Sequence, residues 1–122
     1  MTVQEIIERT NTLEPNDFEE GQKIRWLQDL DGQIYRDLVE THEDPVTEEF
    51  PAGYSMETEL LTPSPFGEEL YVWYLIEMIY LHNAEVDGYN RAQPIVSAAY
   101  RAFADYYNRT HMPKTAGTRF RF

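Results

Sequence analysis

Apolar residues crowd into one stretch of the chain. Eleven of the twelve residues of Leu70–Leu81 (LYVWYLIEMIYL) are apolar or aromatic, and Glu77 is the exception in the middle. At helical pitch such a run leaves no side for water, so it predicts a central helix that other elements must cover. It is too short for a membrane span, which needs about 20 apolar residues. Pro63, Pro65 and Gly67 mark a break upstream, and Glu68 and Glu69 put negative charge where a helix N-terminus favours it.

Narrower patterns predict three further helices. Thr2 with Glu5 matches a capping box opening a short helix over Val3–Thr10, with Ile6 and Ile7 as its apolar edge. Asn11–Asn16, containing Pro15, reads as a turn. From Asp17 to Thr41, Ile24, Leu27, Leu30, Ile34 and Leu38 recur at spacings of three and four and draw one stripe, widened by Trp26 and Tyr35. Gly21 and Gly32 each cost about 1 kcal/mol there relative to alanine, so Gly32 suggests a close backbone crossing or a bend. Asn83–Gly88 reads as a tight connection or bend into a last helix over Tyr89–Thr110, whose face is Ala92, Val96, Ala99, Phe103, Tyr106 and Tyr107. Pro94 interrupts that pattern, so the helix either starts near Gln93 or kinks at the proline. Pro113 and Gly117 end it.

Between His42 and Phe66 helical periodicity disappears. The segment holds four prolines, Gly53 and several acids, while Val46–Phe50 and Tyr54–Leu61 alternate well enough for a short β-hairpin. Such a long connection in a small domain is commonly functional. It reads either as an ordinary surface loop or as an arm reaching a neighbouring subunit. The cost of leaving Phe50, Tyr54, Met56, Leu60 and Leu61 in water favours the arm. The pattern as a whole is all-α: residues 1–122 form a small bundle of about four helices, with an extended loop over 44–65 and a flexible basic tail over 111–122.

Charge divides the chain unevenly. Residues 1–108 hold all 22 acids against six basic residues, a net −16, whereas Arg109, Lys114, Arg119 and Arg121 give residues 109–122 a net +4. An acidic body disfavours nucleic acid and anionic membranes, because the phosphate attraction behind such binding becomes repulsion. The basic tail is either a solvated terminus or a contact for an acidic surface on another copy or another protein. The segment MTVQEIIERT holds acids and no apolar run, so neither a secretory signal nor a transit peptide is expected and the default setting is cytoplasmic.

Candidate chemistry is sparse. There is no cysteine, and His42, His82 and His111 are scattered without metal-ligand spacing, so no metal or other cofactor is expected. Ser55, Ser64 and Ser97 lack a nucleophile-elbow context, and no glycine-rich phosphate cradle is present. Asp29 and Asp31, two apart on a helix, point to different faces and cannot act as a pair. The one enzyme-like reading makes Glu77 a general acid with His82 near it. Plainer roles for Glu77 are an ion pair with Arg101, a hydrogen bond from a tyrosine, or a subunit interface. Nine tyrosines suit a wet protein interface, the acidic body arguing against base stacking.

Three segments carry a more specific likeness: GQKIRWLQDLDGQIYRDLVETHE (21–43), LLTPSPFGEELYVWYLIEMIYLHNAEVDGYN (60–90) and AYRAFADYYNRTHMPK (99–114). They resemble the small head–tail connector, or adaptor, proteins of tailed bacteriophages and of prophages in Gram-positive bacteria. The resemblance implies an all-α subunit without enzymatic activity that assembles in the cytoplasm and ends in the virion, as a ring of about a dozen copies on the portal. It implies contact with the portal and with tail or stopper proteins through the tail residues Arg109, Lys114, Arg119, Phe120, Arg121 and Phe122. The loop residues Phe50, Tyr54, Met56, Leu60 and Leu61 would then lie between subunits. A tail-completion or tail-assembly protein of the same gene module is the alternative.

Overall fold

Helix formation begins at Thr2. Its hydroxyl accepts from the Glu5 amide at 3.3 Å while the Glu5 carboxylate accepts from the Thr2 amide at 2.9 Å, the reciprocal cap that the sequence announces. The computed structural model describes residues 1–42, 50 and 53–111. Its helices are α1 (Val3–Leu13), α2 (Glu20–Ile34), α3 (Phe66–His82) and α4 (Val86–Thr110), and no strand forms among the described residues. α2 continues without a break into one wide π-helical turn, Tyr35–Val39, closed by the Glu40 amide donating to the Tyr35 carbonyl at 2.8 Å.

The all-α expectation holds, and α3 is the central element. It packs on α4 along most of its length and also touches α1 and α2. Leu70, Tyr71, Val72, Leu75, Ile76 and Ile79 are buried, in one contiguous cluster with Ile6, Ile7, Leu27, Ile34, Ala99 and Phe103. Coverage thins toward its C-terminal end, where Leu81 is 49% exposed. Among the described residues no helix is long and apolar enough to cross a membrane.

Several boundaries differ from the sequence reading, each for a local reason. α3 starts at Phe66, with Glu68 and Glu69 in its first turn as expected, and takes in Gly67, which lets that turn press against the backbone of Thr62. α4 starts at Val86 and passes through Pro94. Both Pro94 and Asn90, whose carbonyl loses its amide donor to the proline, are exposed, so water can take that donor's place. The connection shrinks to Asn83–Glu85, with Ala84 at φ +58°. No backbone crosses closely at Gly32: a Cβ there would meet the Arg36 guanidinium at 3.5 Å and the Phe50 ring at 3.8 Å.

The second of the two expected strands pairs in part with the start of the chain. Thr2 and Glu59 form an isolated antiparallel bridge, and the Val3 and Gln4 amides at the start of α1 donate to the carbonyls of Thr58 (3.0 Å) and Met56 (2.9 Å). The loop thus satisfies amides that every helix start leaves open. Residues 46–49 of the other expected strand lie outside the described residues.

Gly67 and Gly21 make a matched test. A Cβ at Gly67 would sit 2.5 Å from the Thr62 carbonyl oxygen, whereas one at Gly21 meets nothing within 4 Å. Gly67→Ala should destabilise the fold by about 1–3 kcal/mol, and Gly21→Ala should stabilise it by roughly 0.5–1 kcal/mol, both read by urea denaturation.

Candidate functional site

The buried stripe of α2 contains a carboxylate. Asp31 is fully buried. Its Oδ2 accepts from the Tyr54 hydroxyl (2.7 Å) and the Leu61 amide (3.0 Å), and its Oδ1 accepts from the Tyr71 hydroxyl. The Tyr71 oxygen in turn accepts from the Thr62 amide at 2.8 Å. One side chain therefore fastens the loop, α2 and α3 together. Burial pushes the Asp31 carboxyl above its ordinary value, against the pull of the hydrogen bonds from Tyr71, Tyr54 and Leu61. Burial, and then the nearby Asp31 charge, raises both tyrosines.

This arrangement changes the picture of the loop. Tyr54 and Leu60 are buried within the chain itself, while Met56, Leu61 and Phe50 are half-buried against the same core. The Phe50 ring rests 5.7 Å from Tyr35 and 5.8 Å from Tyr54. The argument for an arm rested on the cost of leaving these side chains in water. The subunit removes that cost by folding the segment onto its own helices.

Glu77 lies elsewhere. It is half-buried in an open groove of about 500 Å³ between α2, α3 and α4, lined by Leu30, Gln33, Tyr74, Tyr89, Ser97 and Tyr100 among others. Burial raises its carboxyl above the ordinary value, and it forms no ion pair among the described residues, with Arg101 or any other cation. Tyr100 donates to Asp37 across the groove's edge at 3.1 Å, and Tyr74 is raised by burial and by the charges of Asp29 and Glu77. His82 is absent from this lining. It is exposed at the end of α3, with Nδ1 2.9 Å from the Met78 carbonyl and its ring 5.0 Å from Trp26. The fold does not bring Glu77 and His82 together, and among the described residues no cluster of three or more histidines and carboxylates can hold a metal.

The root of the tail is built around His42. That buried ring sits with Nε2 2.7 Å from Asn108 Oδ1 and Nδ1 2.6 Å from the Leu38 carbonyl, edge-on to Tyr107 at 5.2 Å. His111 stacks on Tyr107 at 3.9 Å. Arg109 is exposed on the last turn of α4. Lys114, Arg119, Phe120, Arg121 and Phe122 lie outside the described residues.

The chain matches no family model, no curated protein and no solved structure. Two features escaped the sequence reading. The Asp31 cluster had a signal, an acid in register with the apolar stripe of α2. The groove had none, because it is made by residues from three helices that no single period connects.

Asp31 titrates in a direction that can be measured. Its raised carboxyl binds a proton more readily in the folded state than in the unfolded chain. Its contribution to stability is therefore full below its ordinary value of 3.8 and falls as the pH rises through the folded-state value. The stability difference between wild type and Asp31→Asn should shrink in wild type's disfavour over that rise and level off above it, in urea titrations at stepped pH. Asp31→Ala, which orphans three donors, should cost about 3 kcal/mol or more at neutral pH.

Proposed function

We propose that this chain is a structural adaptor: a ring-forming subunit that seats on the portal of a tailed phage or prophage and joins capsid to tail. The reading starts from the resemblance of residues 21–43, 60–90 and 99–114, stretches that supply most of α2, α3 and α4. The observation that carries it is the division of the chain into unlike surfaces. Acids dominate residues 1–108, cations alone charge residues 109–122, and the α3–α4 corner leaves Leu81 49% and Val86 66% exposed. A subunit that repeats head to tail needs two different, complementary faces, and opposite charge sets their register and speeds their encounter.

In this reading the helices form a rigid block, the loop is part of that block, and the basic tail is the portal-facing element. The groove beside Glu77 serves recognition, and no turnover is assigned to it. A tail-completion role in the same gene module would use the same surfaces toward a tail protein.

The test is mass measurement by light scattering on the protein alone, with the portal protein encoded beside it, and with the adjacent tail protein. Co-elution with the portal in a multi-copy complex, weakened about tenfold or more by removing residues 112–122, is the expected result. Binding to the tail protein alone would move the assignment to tail completion. Association with neither would end the adaptor reading.

A further inference from the structure

The groove between α2, α3 and α4 has a chemistry that selects its occupant. Its floor is apolar, from Leu30, Val96 and Ala104, and Tyr74, Tyr89 and Tyr100 supply three aromatic rings. Glu77 stands in it half-buried with no cationic partner among the described residues, while Asp37 holds the Tyr100 hydroxyl at its edge and the Asp29 charge acts on Tyr74. Arg101 also lines it and offsets part of this negative field. Aromatic faces beside an unpaired carboxylate suit a guanidinium, which stacks on the ring and bonds the carboxylate in one pose.

We propose that this groove is the docking site for the chain's own carboxy-terminal segment, residues 112–122. That segment alternates arginine with phenylalanine (TRFRF) and contains no acid, a match to an acidic, tyrosine-lined cleft. Reach allows it. Ser97 and Tyr100 lie roughly 16–21 Å along α4 from His111 at the helical rise. The seven residues from His111 to Thr118 span up to about 23 Å when extended. Pro113 and Gly117 stand in that interval, where a reversal of direction is needed.

A second copy could offer the same tail, but tethering decides between them. A short linker holds its own end at an effective concentration in the millimolar range, above any ordinary concentration of free subunits. The docked tail screens Glu77 in the isolated subunit and must be released before it can serve another surface. The inference needs only the groove and the tail, so it stands or falls apart from the adaptor reading.

Because the chain has no cysteine, one engineered pair reports the contact unambiguously. Full-length Ser97→Cys/Thr118→Cys is oxidised at low protein concentration and resolved by non-reducing electrophoresis and intact mass. Thr118 is chosen so that Arg119 and Arg121 stay in place. The control is Ala98→Cys/Thr118→Cys, exposed at the same height on α4 but outside the groove lining. Docking predicts an intrachain disulfide forming about fivefold or more faster for the Ser97 pair, with the advantage lost in Glu77→Lys and in about 1 M salt. Should the lysine disturb the fold, Glu77→Gln removes the charge at constant shape and must also reduce the advantage. Equal rates for the two pairs would overturn the proposal, as would cross-links that join two chains.

Discussion

A single carboxylate ties the stretch from Tyr54 to Leu61 to α2 and α3. Asp31 is fully buried, and three donors converge on it from Tyr54, Leu61 and Tyr71. Burying a carboxyl is costly unless hydrogen bonds replace the lost water, and here two replacements come from the loop and one from α3. The loop cannot leave without orphaning Asp31, and Asp31 cannot be satisfied unless the loop and α3 are both home. Residues 54–62 of the connection thereby behave as a component of the core.

That constraint sets what the subunit can present to others. With Tyr54 and Leu60 committed inward, the surfaces that the described residues present include the acidic faces of the helices, the Glu77 groove and the apolar corner at Leu81 and Val86. The opposite charge is concentrated beyond residue 108. The two residues with the best claim to chemistry, Glu77 and His82, occupy different surfaces.

Much of the helical framework was legible because it rests on local rules. The Thr2–Glu5 cap, the stripe on α2 and the apolar run of α3 are each visible within one or two turns of sequence. The loop was not, because its folding depends on distant partners, Asp31 23 residues before Tyr54 and the start of α1 farther still. Spacing still held a clue. Ile24, Leu27, Asp31, Ile34 and Leu38 step by three and four, so Asp31 occupies a core position in the row, and an acid there demands buried donors. The tyrosines read as interface residues on composition include those donors. Gly67 was legible only as a break, since nothing local shows that the Thr62 carbonyl will press against it.

The wide turn at Tyr35–Val39 fixes the orientation of everything that follows it on that helix. A π turn holds one residue more than an α turn, and one residue corresponds to a rotation of about 100° about the axis. Loss of a single residue there would let the turn close as an ordinary α turn, which sweeps nearly the same angle with one residue fewer. Leu38, Val39 and His42 would keep their side of the helix, and His42 its contact with Asn108. The same deletion in the α-helical part of α2 has no spare residue to absorb it and would rotate everything after it by about 100°.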